Sequence, residues 1–413
     1  MEFQFYWLLL LPLFFGLGWL AARMDLRQLL SESRALPSAY FKGLNFLINE
    51  QPDQAIEALS EVAQSHQQTT ELHFTLGSLF RRRGELDRAT RTHQMLLDRS
   101  DLPNDQRVAA LHELAQDYLK AGVLDRAESL FLELKGTDFE TSASHFLREI
   151  YVSEKEWGKA IEVAKKQTGL NASKLLNRDI SHYLCELAAL DYSHGKAMQA
   201  DQYIDQALEM NPRCVRASIL RGESHFKEGR VKDALKEWLQ IEKQNPDYLF
   251  LITPSVFSAY KELGQPDIGL KLLQDWLIQY PSLELLSQVY QATIEHQGPD
   301  AALALAKHEF YNSPTLPALS KYLEAQINVL GSVHHLATHD SGPLVHNTDR
   351  SDLELTQKLV HAQVQKQALF ICHHCGFKAR QFHWNCPACG HWESYSPRRD
   401  TDSEDMASSL VRM

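Results

Sequence analysis

Small residues recur along this chain with a period of about 34 residues, and that recurrence restricts the fold more than any other feature. Ala55, Ala89, Ala127, Ala160, Ala200, Ala234, Gly269 and Ala302 follow one another at intervals of 33 to 40 residues. A second small residue stands twelve positions before several of them: Gly43, Gly77, Ala115, Ala188 and Gly222. Pro212, Pro246, Pro281 and Pro314 stand twelve positions after Ala200, Ala234, Gly269 and Ala302. Helical periodicity runs from Pro37 to Leu330 without a convincing strand pattern. Each unit therefore reads as two helices that approach closely at the small positions, with a proline ending the second. One such hairpin cannot bury its own apolar face, so the units must stack. Eight fit the spacing, with room for about nine. The wider intervals place insertions near Leu102 and Leu170.

This small–small–proline pattern resembles the tetratricopeptide repeat, and Tyr118, Tyr151 and Tyr192 near the first-helix ends agree with it. The expected fold class is all-α, a repeat superhelix over residues 37–330 whose concave face holds extended segments of other proteins. An irregular helical bundle is the competing reading.

Four of the six cysteines lie in CHHCGFKARQFHWNCPACG, residues 372–390, as two Cys-x-x-Cys pairs. Cys372 with Cys375 and Cys386 with Cys389 can each present two thiolates from one tight turn, and two such turns complete a tetrahedron around one ion. Gly376 and Gly390 follow the second cysteine of each pair and permit the tight backbone. Two disulfides or four unrelated thiols are the rival arrangements, but the paired spacing is a metal signature. His373 and His374 could replace a thiolate, but beside a full set of four cysteines they read as solvent-facing. Iron and zinc fit it equally. Four protein ligands leave no open position for hydrolytic chemistry. A module of about 30 residues cannot bury a sufficient core, so the ion must supply folding energy. Phe377, Phe382, Trp384 and Trp392 are expected to pack around it. Cys185 and Cys214 stand alone and read as buried helix residues.

From Phe5 to Ala22 the chain carries no charge. As a helix this stretch would span about 27 Å, close to the hydrocarbon thickness of a bilayer. Arg23, Arg27 and Arg34 follow it. The expectation is a transmembrane anchor over residues 1–23 with everything beyond on the cytoplasmic side; a cleaved signal peptide would need a basic start and a shorter apolar run. The net charge of −11 opposes general nucleic-acid binding. Lys378, Arg380, Arg398 and Arg399 form a local basic exception suited to an acidic partner or to plain solvation.

No catalytic constellation emerges. His73, His93, His112, His145, His182, His194 and His225 are scattered over different units and read as packing or surface residues. Arg81, Arg82 and Arg83 read as a helix-end cluster favoured by the dipole. There is no Gly-rich phosphate loop and no Gly-x-Ser-x-Gly elbow. Residues 331–350 read as a linker and 351–369 as a connecting helix capped by Ser351 or Asp352, with Leu355, Leu359, Val360 and Val364 on its apolar face. The metal module, 370–397, would then dock on the end of the array and cap its last repeat. Residues 398–413 read as a disordered tail.

The membrane helix ending in Gly-Trp and arginine, the repeat array and the CxxCGFxAR…WxCPxC module together resemble the lipopolysaccharide assembly protein B family, as does YFKGLNFLINEQPDQAIEAL in the first repeat. The resemblance covers the whole chain. It implies a rubredoxin-like domain in which Cys372, Cys375, Cys386 and Cys389 bind one iron or zinc ion. It further implies a non-enzymatic inner-membrane adaptor that restrains lipopolysaccharide synthesis. Such an adaptor helps a membrane-bound ATP-dependent metalloprotease degrade the deacetylase that commits precursors to lipid A. Other lipopolysaccharide assembly proteins and a homodimer are among its expected assemblies. A rubredoxin-like electron carrier and a general membrane-tethered scaffold are the alternatives.

Overall fold

The computed structural model describes Phe15, Trp19 and residues 38–65, 70–167, 174–337, 347–366 and 369–397. The anchor expected at 1–23, apart from Phe15 and Trp19, and the tail expected at 398–413 lie outside these residues. Among the described residues no helix is long and apolar enough to cross a membrane. The chain forms two compact units, residues 1–163 and 164–413.

The first unit contains helical hairpins α1 (Ser38–Ile48) with α2 (Pro52–Ser65), α3 (Thr70–Arg83) with α4 (Leu86–Leu97), and α5 (Asn104–Lys120) with α6 (Leu124–Glu133). Helix α7 (Glu140–Ser153) follows, and α8 (Trp157–Gln167) runs across the boundary. The second unit contains α9 (Lys174–Ser193) with α10 (Ala197–Met210), and α11 (Val215–Lys227) with α12 (Val231–Leu239). A short α13 (Ile241–Gln244) and a 3-10 turn over Pro246–Tyr248 lead to α14 (Leu249–Glu262) and α15 (Pro266–Gln279). After α16 (Leu283–Gln297) and α17 (Pro299–Asn312) come α18 (Leu316–Ala337), α19 (Asn347–Val364) and three short strands.

The recurrent small residues hold the hairpins together. Ala55, Ala89, Ala127, Ala160, Ala200, Ala234 and Ala302 are fully buried. A Cβ on Gly43 would run into Leu59, one on Gly77 into His93, and one on Gly222 into Trp238. In each case the obstacle lies sixteen residues on, in the paired helix. The same interval joins Ala115 to Phe131 and Ala188 to Ile204, both buried. In these five hairpins one slot thus sets a large side chain sixteen residues after a glycine or alanine.

Seven of the hairpin turns share one closure. Gly229 adopts φ 77°, and the next N–H, from Arg230, bonds the His225 carbonyl at 2.8 Å. Lys155 takes the glycine's place in the fourth hairpin at φ 59°, with Glu156 bonded to Tyr151 at 2.8 Å. These are helix C-caps that need a left-handed residue, which glycine supplies without strain. Asp87, Asp125, Asp233, Asp267 and Asp300 then open second helices, complementing the dipole.

His93 departs from the apolar rule of its slot. Its Nδ1 lies 2.5 Å from Asp117 Oδ2, and both side chains are wholly buried. Arg81 completes the cluster, donating to Asp117 at 2.8 Å and to Glu113 at 2.6 Å. Arg81 lies in the last turn of α3, as expected of a helix-end cation, and it also bridges to the next hairpin.

Helix α18 extends through Ala337, into the stretch expected as linker, and α19 starts at Asn347, before the expected cap. On α19, Val360 and Val364 are half-buried, but Leu355 and Leu359, expected on the same apolar face, are exposed. The strands β1 (Phe370–Cys372), β2 (Lys378–Ala379) and β3 (Tyr395–Pro397) form an antiparallel sheet in the order β2-β1-β3. Phe370 pairs with both Ala379 and Pro397, and Cys372 pairs with Tyr395.

Candidate metal centre

Two knuckles of the same design build the site. In the first, Cys372 N–H bonds the Phe377 carbonyl at 2.9 Å and Gly376 N–H bonds the Cys372 carbonyl at 2.8 Å. In the second, Cys386 N–H bonds the His391 carbonyl at 2.9 Å and Gly390 N–H bonds the Cys386 carbonyl at 2.8 Å. Gly376 and Gly390 take φ 74° and 69°. An L side chain there would be strained, so the spacing Cys-x-x-Cys-Gly follows from the turn itself. The outer face of the second turn is pinned by Asn385, whose amide donates to the Gly390 carbonyl at 2.7 Å.

The knuckles face each other across four sulfurs, all within 4.8 Å of one another. Cys372 Sγ lies 3.7 Å from Cys389 Sγ, and Cys375 Sγ lies 3.8 Å from Cys386 Sγ. A tetrahedron with metal–sulfur bonds of about 2.3 Å has edges of about 3.8 Å, so the cage already has the size of a zinc or iron site. These separations are far from the roughly 2.05 Å of a disulfide.

The electrostatics fit a cation. Burial pushes the Cys372 thiol up, but the Ser394 hydroxyl and the N–H groups of Cys375 and His374 outweigh it and hold the group at about 6. Burial likewise raises Cys386, and the Tyr395 hydroxyl with the N–H groups of Cys389 and Ala388 brings it below its ordinary value. Cys389 goes the other way: burial and the neighbouring sulfurs of Cys375, Cys386 and Cys372 push it up to about 12 against the His391 N–H. Four crowded thiols thus divide into low and high. A divalent ion in their midst would favour all four thiolates and release the remaining protons.

The ribbon does not cap the last repeat. It lies on the fifth to seventh hairpins, and its residues Phe370, Cys372, Ala379, Cys386 and Tyr395 share one core with α11–α16. Phe250 meets Phe370 and Phe382 at 5.8 and 5.9 Å between ring centroids. Tyr248 meets Phe382 and Trp384 at 5.7 and 5.3 Å and donates its hydroxyl to the Tyr395 carbonyl at 3.3 Å. Trp392 stacks on His182 at 4.8 Å, and the His182 Nε2 lies 3.1 Å from a Glu393 carboxylate oxygen. The Arg216 guanidinium sits over Trp384 and Trp392 while pairing with Glu186 at 2.9 Å. The cause is local: the aromatic residues that a ribbon this small cannot cover find matching aromatics on Tyr248 of the 3-10 turn and on α14.

Phe377, expected in the packing, is 41% exposed, whereas Phe382, Trp384 and Trp392 all lie against the array. His182 is a packing residue of this interface. Cys185 and Cys214 are both buried but are not isolated: their sulfurs lie 3.8 Å apart, and Cys214 precedes α11 rather than sitting in it. Of the basic patch, Lys378 and Arg380 are exposed, Arg380 reaches Gln365 at 3.4 Å, and Arg398 and Arg399 lie outside the described residues.

Comparison with known proteins agrees with both halves of the structure. The tetratricopeptide repeat family model matches residues 42–94 and 185–248, and the rubredoxin metal binding domain model matches 370–397. Lipopolysaccharide assembly protein B of Escherichia coli K12 is 29% identical over 399 residues, covering 95% of this chain and 98% of that protein. The protein of the same name from Haemophilus influenzae strain Rd is 30% identical over 403 residues, covering 94% and 97%. Among solved structures, the C-terminal part of a TPR repeat-containing protein from Cytophaga hutchinsonii aligns at a TM-score of 0.39 and 12% identity, over 68% of this chain and 98% of that one. The chain is an all-α repeat protein with a small metal-binding ribbon, an adaptor or scaffold and not an enzyme. Related along almost its whole length to proteins of one name, it belongs to the lipopolysaccharide assembly protein B family.

Proposed function

We propose that this chain is an inner-membrane adaptor that restrains lipopolysaccharide synthesis. In this reading it presents the deacetylase that commits precursors to lipid A to a membrane-bound ATP-dependent metalloprotease, and it gathers other assembly proteins. The near full-length relationship to proteins named for lipopolysaccharide assembly is the observation that carries this reading. The uncharged run from Phe5 to Ala22, followed by Arg23, serves as the anchor and leaves the array in the cytoplasm. Confinement to the bilayer surface raises the effective concentration of the array beside a membrane protease. Stacked hairpins supply the client surface.

Cys372, Cys375, Cys386 and Cys389 hold one iron or zinc ion. The ion supplies folding free energy to the ribbon, and the ribbon fixes the aromatic faces of α14 and the turn before it. Replacing Cys372 and Cys375 by serine, with the deacetylase followed after synthesis is stopped, tests the role of the module. Slower deacetylase turnover is expected; unchanged turnover overturns that role. A second reading, one-electron transfer through an iron-loaded cage, is favoured by the exposed edge at Cys375. Metal analysis that finds only zinc removes it.

A further inference from the structure

The two knuckles bring together a second set of donors on the outer face of the ribbon. His374 lies between the cysteines of the first knuckle, and His391 follows the glycine of the second. Their rings nevertheless stack at 3.4 Å between centroids, within 19° of parallel, and the exposed His374 ring has to turn out of the stack to aim its lone pair at an ion shared with His391. A ring nitrogen of each and the Cys389 sulfur all lie within 4.8 Å of one another. Both histidines are exposed and Cys389 is half-buried, so the cluster opens to solvent.

The donor chemistry is that of a cation site. His391 Nδ1 donates to the Cys389 carbonyl at 3.2 Å. That bond places the proton on Nδ1, leaves the Nε2 lone pair for an ion and fixes the ring, as a backbone carbonyl does for many metal-bound histidines. The position of His391 is fixed further by its own carbonyl, which accepts from Cys386 N–H at 2.9 Å. Two imidazoles and a thiolate select borderline-soft ions such as Zn²⁺ over Mg²⁺ or Ca²⁺. A thiolate sulfur keeps lone pairs after bonding one ion, so Cys389 can serve both the cage and this face.

We infer that His374, His391 and Cys389 form a second, weaker site for a Zn²⁺-like cation, sharing Cys389 with the four-cysteine cage. Three protein donors leave its remaining coordination open, in contrast to the closed cage. An ion held there stands next to the cage. The inference presupposes the four-thiolate reading of the cage, and the stoichiometry separates the two.

The test is equilibrium dialysis of the full chain in detergent against buffered free zinc, with bound zinc measured per chain, for the wild type and for the double variant His374→Ala/His391→Ala. The wild type should reach two ions per chain and the variant one. Cobalt substitution of the variant should retain the thiolate-to-metal absorption of the cage, which reports that the ribbon is intact. A wild-type stoichiometry of one overturns the second site, and a stoichiometry of zero overturns the cage as well. Equal stoichiometry in the two proteins also overturns the second site. Should the variant lose the cage absorption, histidine carbethoxylation mapped by mass spectrometry in the wild type decides: zinc beyond one equivalent should protect His374 and His391, and their unchanged labelling overturns the inference.

Discussion

His182 lies flat on Trp392, with ring centroids 4.8 Å apart and planes 13° from parallel. One residue belongs to α9 and the other to the second half of the ribbon. The His182 side chain is fully buried and Trp392 is 4% exposed. Trp392→Ala should therefore destabilise the docked ribbon by about 3–5 kcal/mol, the usual cost of emptying a buried tryptophan site. The check is hydrogen exchange: α9 and the 248–250 segment should lose protection while α1–α4 keep theirs.

Removing the ion should unfold the ribbon and spare the array. The hairpins have their own buried interfaces, whereas the ribbon's three short strands do not make a core. Chelation should leave far-ultraviolet circular dichroism largely unchanged and shift the fluorescence of Trp384 and Trp392 to the red. Cys386→Ser should reproduce the effect without chelator.

Arg81 pairs with the buried Asp117, and it also holds Glu113. Arg81→Ala would leave the buried Asp117 carboxylate beside His93 without its guanidinium. A loss of about 3–5 kcal/mol is expected, read as a lower urea midpoint. Arg88→Ala, which removes an exposed pair with Glu85, should cost less than about 1 kcal/mol.

Acid should weaken the same cluster. Burial alone would raise Glu113, but His112 and Arg81 outweigh it and hold the carboxyl at about 2, against an ordinary 4.5. The folded value is the lower one, so this group stabilises the protein fully above pH 4.5 and loses that contribution as pH falls toward 2. Stability measured across that window should fall less steeply for Glu113→Gln than for the wild type.

Gly222→Ala would place a methyl group in the Trp238 indole, itself 1% exposed. The tryptophan has no room to retreat, so a loss of about 1–3 kcal/mol is expected by thermal unfolding. Gly229→Ala should be destabilising for a different reason, the φ of 77°.

Most of the repeat was legible because its constraint is steric and local. Close helices demand a small residue at a fixed place, and Ala89 or Gly222 reports that demand without any knowledge of the partner. The knuckles were legible for a similar reason, since Cys-x-x-Cys-Gly is one turn. The ribbon's resting place was not. Tyr248 and Phe250 carry no mark of it in the sequence, since nothing local distinguishes an aromatic that packs on its own hairpin from one that receives Phe382. His93 and His182 looked scattered because Asp117 and Glu393 lie far along the chain from them. Leu355 and Leu359 misled in the opposite sense: their spacing suits an apolar face, yet α19 turns them to solvent.

The Tyr248 hydroxyl bonds a carbonyl 147 residues further along the chain. A ribosome therefore releases the aromatic shelf of Tyr248 and Phe250 well before it makes the piece that covers it, and that piece folds only once it has captured its ion. A cell starved of the ion would accumulate polypeptides with this greasy shelf left bare, open to chaperones and to self-association, although every hairpin beneath had formed correctly.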